Sequence, residues 1–132
     1  MADLAALGVT VKRQFMTVDD VELTELLVTL PKSTGVEATF SQEGFADKVL
    51  KLFKKEIQIG DPIFDEAVHI KTDTTEQTEA LLQSTDLRAI IERVIVNGGA
   101  IEIDGNTVKM EIRGRQQTDD EVFALFITTL LA

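Results

Sequence analysis

The chain of 132 residues contains no cysteine, no tryptophan and no tyrosine, and only one histidine. Without cysteine it has neither a disulfide framework nor a thiolate zinc site. Without tryptophan and tyrosine, phenylalanine is the one aromatic residue type left to dominate the binding energy of an interface. The single His69 also has no cysteine to activate, and no serine lies in a nucleophile-elbow pattern, so a catalytic triad is not indicated.

Basic residues are scarce as well, because 13 lysines and arginines stand against 23 acids and give a net charge of −10. Such a surface repels phosphate backbones and anionic membranes, which argues against nucleic-acid binding and favours a basic partner or plain solubility. No run approaches the roughly 20 apolar residues that span a membrane, so direct membrane insertion is not expected. Asp3 stands where a signal peptide has its basic region, so we expect a cytoplasmic chain.

The first half of the chain is rich in strand patterns. Apolar and polar residues alternate over residues 9–18, and the acids Asp19 and Asp20 predict a turn. Residues 21–30 have leucines at helical spacing, yet their β-branched residues favour a strand that pairs back on the first as a hairpin. Residues 36–40 predict a short third strand.

Residues 42–55 have one apolar helical face and predict a helix. The rest of this segment is charged and holds the densest group of basic residues in the chain: Lys48, Lys51, Lys54 and Lys55. This group is either a solvated helix face or a site for an anion or a partner.

A dense set of boundary signals follows. Gly60-Asp61-Pro62 starts a helix, since Asp61 can cap free backbone N–H groups and proline fits the first helical position. Residues 68–72 alternate as a half-buried strand. Asp73 and Glu76 have capping-box spacing and open a helix over residues 74–82. A further helix runs from Ser84 to about Asn97.

These signals follow one order: Gly60-Asp61-Pro62, Phe64-Asp65, a strand with Val68 and Ile70, the acid Asp73, and Leu81-Leu82 before Leu87-Arg88. This order resembles a bacterial domain family of unknown function, in which longer members carry transmembrane helices beside a soluble domain of this pattern. The similarity covers roughly the second half of the chain. It implies the fold and brings no activity or functional residue with it.

The last part of the chain predicts a β-hairpin over residues 100–113, with Asp104-Gly105 or Gly105-Asn106 as its two-residue loop. Thr118 and Glu121 form a capping box before a helix over residues 122–132 that is apolar on nearly all sides. Such a helix lies between the sheet and other elements, or meets another chain through one face. The interface candidates on it are Phe123, Phe126, Ile127 and Leu130.

Carboxylates offer one further kind of site. Asp61, Asp65 and Asp73 are close in sequence, and carboxylate oxygens can hold Ca²⁺ or Mg²⁺. The alternative is that Asp61 and Asp73 cap helices and Asp65 makes a local hydrogen bond. No EF-hand loop, phosphate-binding loop or other cofactor motif is present.

The sequence therefore predicts a single α+β domain over residues 1–132, with a mostly antiparallel sheet, helices packed on it, and a C-terminal β-hairpin followed by an apolar helix. For function, we expect a non-catalytic interaction or structural module, self-associating or bound to another protein. The alternatives are an acidic binding protein for a basic partner or divalent cation, and an enzyme of a type that its sequence does not reveal.

Overall fold

Seven strands form one antiparallel sheet in the computed structural model, which describes residues 7–42, 53, 55–114 and 121–131. Neighbouring strands lie in the order β1-β2-β7-β6-β3-β5-β4. The strands are β1 (Thr10–Val18), β2 (Val21–Thr29), β3 (Glu37–Ser41), β4 (Lys55–Ile57), β5 (His69–Thr72), β6 (Ala100–Asp104) and β7 (Thr107–Arg113).

Within the described residues, four helices accompany this sheet: α1 (Pro62–Ala67), α2 (Thr75–Leu81), α3 (Thr85–Val96) and α4 (Glu121–Leu131). The α+β class with a mostly antiparallel sheet and helices packed on it is thereby confirmed, as is the order of hairpin and last helix. No helix in the described ranges is long and apolar enough to cross a membrane.

Two tight hairpins set the local register. Asp19 and Asp20 both have positive φ, 49° and 66°, the backbone conformation of a turn that matches the twist of its flanking strands. The strand predicted over residues 21–30 is therefore confirmed, and it pairs with β1 as expected. In the second hairpin the loop is Gly105-Asn106, so Glu102 lies opposite Lys109.

The registers of five adjacent strands place one apolar row across the sheet. Cross-strand partners in this row are Leu26, Met110, Ile101, Phe40 and Ile70. Each is at most 1% exposed, and burial of one such side chain stabilises the fold by about 1.5–3 kcal/mol. Because side chains alternate along a strand, the residues directly before and after each of these five in its own strand point to the opposite face of the sheet.

Helix α3 belongs to the same core as this row. Its buried residues Leu87, Ile91 and Ile95 recur at helical spacing and lie in one cluster with the apolar row. Ser84 caps the helix by accepting a hydrogen bond from the backbone N–H of Leu87. Burying one stripe of an amphipathic helix leaves its opposite face, here marked by Ala89, directed away from the sheet.

The expected cap of α2 is wrong by one residue. Thr74, not Asp73, is the N-cap, and it makes no side-chain capping bond. The Thr74 hydroxyl instead accepts a hydrogen bond from the backbone N–H of Glu37 on β3, at 2.8 Å. The Thr72 hydroxyl donates to the Glu37 carbonyl at 2.8 Å, so these threonines tie the start of α2 to the sheet.

The prediction of a helix over residues 42–55 is wrong at Lys55, because Lys55–Ile57 form the edge strand β4. Pairing with β5 supplies the backbone hydrogen bonds that overrule the helical pattern there. Phe53 is buried, and most of the remaining segment, with Lys48, Lys51 and Lys54, lies outside the described residues. Thr118, the predicted capping residue of the last helix, also lies outside the described residues.

Two neighbours on α1 give a sharp test of this core. Phe64 is 2% exposed, whereas Ile63 is 74% exposed. We predict that Phe64→Ala lowers the free energy of unfolding by about 3–5 kcal/mol, because it leaves a cavity in the core. Ile63→Ala serves as the control and changes it by about 0.5 kcal/mol or less. Chemical denaturation of both variants checks this, and equal losses would contradict the assignment of Phe64 to the core.

Candidate functional site

The carboxylates proposed as cation ligands are used by the backbone at the start of α1. Asp61 Oδ1 accepts from the Phe64 backbone N–H at 3.3 Å, and its other oxygen lies 3.6 Å from Arg88 Nε. Asp65 accepts from the backbone N–H groups of Ile59 and Gly60, at 2.9 and 3.0 Å. These bonds fix the chain's entry into α1, which is the structural role weighed against cation binding.

Asp73 is not brought into this group. Its backbone N–H donates to the Glu37 carbonyl on β3, at the junction between β5 and α2. Within the described ranges no three histidine, aspartate or glutamate side chains are arranged to hold a metal ion. Asp61, Asp65 and Asp73 therefore do not converge on one point.

His69 lies on β5 with its ring on the polar face of the sheet, as the alternation predicts. Its Nδ1 is 3.0 Å from Glu56 Oε1 on the edge strand β4, and its cross-strand partner on β3 is Ser41. Sequence reasoning missed Glu56 because β4 was not expected. The structure thus joins His69 to Glu56 across β4 and β5.

A carboxyl pair occupies the polar face of the sheet between β2 and β7. Glu25 and Glu111 are direct cross-strand partners, and Glu111 is 0% exposed. Neither oxygen of the Glu111 carboxylate receives a hydrogen bond from the residues that the structure describes. Protonation would give Glu111 an O–H that the Glu25 carboxylate can accept.

This environment perturbs the titration of Glu111. Burial, followed by the charge of the nearby Glu25, raises the pKa of Glu111 from 4.5 to about 8. Lys109 opposes the shift and Glu102 adds to it. Glu111 therefore retains its proton at neutral pH. Each glutamate is an ordinary polar position of its own strand, so only the pairing of β2 with β7 reveals them.

Three clefts lined by described residues lie on the helical side of the sheet. A small cleft of about 80 Å³ between α4 and the end of α3 is mainly apolar. Its lining residues are Val94, Asn97, Gly99, Met110, Ile112, Val122 and Phe123. Glu111 is not among the lining residues of this cleft.

The interface candidates on α4 are in the chain's own core. Phe123, Phe126 and Ile127 are fully buried in one cluster with the sheet and α3, and Leu130 packs against that cluster. The first three side chains are therefore covered by the chain's own fold, while Leu130 is half-buried. At these positions α4 therefore packs between the sheet and other elements, which is one of the two arrangements expected for an apolar helix. The exposed apolar residue of α4 is Leu125, which is 52% exposed.

Leu125 borders a groove of about 340 Å³ between α3 and α4, which we name the α3–α4 groove. Its lining residues are Asp86, Ala89, Ile90, Arg93, Leu125 and Thr129. A second groove of about 210 Å³ lies on the other side of α3, against α1, and is bordered by the exposed Ile63. Ala89 lines both grooves and forms the low ridge between them.

Comparison with known proteins yields no relative: no family model, no curated protein and no solved structure matches the chain. The resemblance to a bacterial domain family of unknown function stays an expectation. Function is therefore inferred from the geometry alone.

Asp65 gives a test of the structural role of the α1 carboxylates. We predict that Asp65→Ala lowers the free energy of unfolding by about 2–3 kcal/mol, since two backbone donors lose a charged acceptor. Glu66→Ala, at the exposed neighbour, changes it by about 0.5 kcal/mol or less. Urea denaturation with and without millimolar Ca²⁺ checks both roles. A stabilisation by Ca²⁺ that disappears in Asp65→Ala would contradict the structural role.

The Glu111 carboxyl makes a prediction about pH. Its pKa is raised to about 8 in the folded chain from an ordinary 4.5, so the folded state holds a proton that the unfolded state releases. The free energy of unfolding therefore falls as pH rises from about 4.5 through 8, by an amount on the order of a few kcal/mol.

Glu111→Gln should flatten this pH dependence and stabilise the chain at pH 9. Glu22→Gln, an exposed position on β2, is the matched control and should keep the wild-type profile. Denaturation midpoints measured from pH 5 to 9 check this. An unchanged slope in Glu111→Gln would show that Glu111 does not hold the proton.

Proposed function

We propose that this chain is a non-catalytic interaction module that associates with a second copy of itself through the α3–α4 groove. The observation that carries the proposal is the exposure of Leu125 beside an open groove. Every other large apolar residue described on α4 is buried or half-buried. Covering this leucine with a second copy would remove apolar surface from water, which is the driving force that the proposed association uses.

The local charge of the groove suits a second copy despite the acidic surface. Its ionisable lining residues are one acid, Asp86, and one base, Arg93, so the groove itself is electrically balanced. Neither side chain is engaged in an ion pair within the described chain. Two copies can therefore meet here without the repulsion that the net charge of −10 would produce elsewhere.

A second candidate function is the binding of a basic protein partner through the acidic surface. Exposed acids on and before α2, Asp73, Glu76 and Glu79, lie apart from the α3–α4 groove and supply a negative surface. Association through a single-sign acidic surface weakens steeply with salt, whereas association through Leu125 and the charge-balanced groove weakens much less. The salt dependence of any complex separates the two candidates.

Leu125→Glu tests the proposed function. Burial of this side chain in both copies contributes about 2 kcal/mol, so we expect the variant to raise the dissociation constant of the dimer by about 30-fold. Val21→Glu, at an exposed apolar position on β2, is the matched control and should leave the dimer intact. Light scattering over a concentration series checks both variants.

Phe126→Glu is unsuitable for this purpose, because it places a charge in the core and should unfold the chain. A wild-type chain that stays monomeric up to about millimolar concentration, the weak end of measurable association, would overturn the proposed function.

A further inference from the structure

We infer that two copies join with their α3 helices antiparallel, so that Asp86 of each copy pairs with Arg93 of the other. This inference rests on the proposed function and specifies its partner surface. It begins with the positions of the two charges. Asp86 and Arg93 both line the α3–α4 groove, and they stand at equal sequence distance from the Ala89–Ile90 peptide bond.

Helix geometry places these charges on one face. Positions seven apart on a helix are almost two full turns apart, so Asp86 and Arg93 lie above one another, about 10 Å apart along the axis. That separation is too long for them to pair within one copy. No residue three or four positions away on α3 carries an opposite charge, so a partner for either of them would come from outside the helix.

A two-fold axis through the middle of this stripe supplies that charge. This axis is perpendicular to α3 and lies in the plane of contact between the two copies. Rotation about it reverses the direction of the helix, so the two α3 helices run antiparallel. The α4 side of one copy stays next to the α4 side of the other. Asp86 of one copy then faces Arg93 of the second copy, and the reverse pair forms at the same time. The arrangement is self-complementary, as a closed dimer requires.

The ridge at the centre of the stripe permits close approach. Ala89 lies at the axis and lines both grooves, so no long side chain separates the two helix backbones. Helices with small residues at their crossing point pack at the short end of the 8–10 Å range of interaxial distances. On the α4 side, Leu125 of each copy then borders the same contact.

The other side of α3 is compatible with this axis. Arg88 and Glu92 line the groove against α1 and lie on opposite sides of the Ala89–Ile90 bond. The same rotation therefore brings Arg88 of one copy near Glu92 of the second. Arg88 also lies beside Asp61 of its own chain, at 3.6 Å, so Asp86 and Arg93 are the cleaner pair to test.

Charge exchange between two variants tests the arrangement directly. Asp86→Arg places arginine against Arg93 of the second copy, and Arg93→Glu places glutamate against Asp86. Each variant alone should raise the dissociation constant of the dimer by at least about tenfold, because two attractions become two repulsions. An equimolar mixture of the two variants restores both opposite-charge pairs and should form a one-to-one heterodimer of near wild-type affinity.

The measurement is sedimentation equilibrium of wild type, each variant and the mixture, with circular dichroism to show that all are folded. Glu79→Arg, an exposed charge reversal on α2, is the control and should behave as wild type. Loss of the dimer in each single variant and its return in the mixture would support the arrangement.

Two results would overturn the arrangement alone: a wild-type dimer that neither variant weakens, or a mixture that fails to recover it. In both cases self-association through Leu125 survives. A wild-type chain that is monomeric throughout the concentration series would overturn the proposed function together with this inference.

Discussion

One continuous cross-strand register holds this structure together. The apolar row from Leu26 to Ile70 crosses five strands, and each member is in register with its neighbours. A slip of one residue in any strand would turn its apolar side chains to the other face, so the core exists only in this register. The buried stripe of α3 lies in one cluster with that row, and its outer face is consequently left to the surface.

The same register also dictates the polar face of the sheet. Once Leu26 pairs with Met110, the antiparallel register places Glu25 opposite Glu111. Because side chains alternate along a strand, this pair lies on the opposite face of the sheet from the apolar row. Two carboxyls are thereby forced together at a buried position, and burial raises the pKa of Glu111 to about 8. The proton held there is a consequence of core register, and it links the stability of the sheet to pH.

Local signals were enough to predict the elements that depend on neighbouring residues. The two hairpins follow from Asp19-Asp20 and Gly105-Asn106, since a tight turn specifies the pairing of the strands on either side. The start of α1 follows from Asp61-Pro62 and that of α3 from Ser84. What the sequence could not show is which distant strands pair. The three-residue strand β4 and the carboxyl pair both depend on such long-range pairing.

The orientation of α4 was beyond the sequence for a related reason. A helix that is apolar on nearly all sides gives no sign of which face is buried. Leu125 and Phe126 are adjacent in the chain, yet one is 52% exposed and the other fully buried. Phe126 is therefore a core residue, and the surface proposed for association lies at Leu125 and on the outer face of α3. That face is now the proposed meeting point of two copies.

The absence of cysteine makes one measurement especially direct. Ala89→Cys places a thiol beside the proposed axis, close to its counterpart in the second copy. Under mild oxidation, at concentrations where the chain is dimeric, Ala89→Cys should form a disulfide-linked dimer much faster than Glu79→Cys on α2. Equal rates for the two variants would contradict the claim that the copies meet across the outer face of α3.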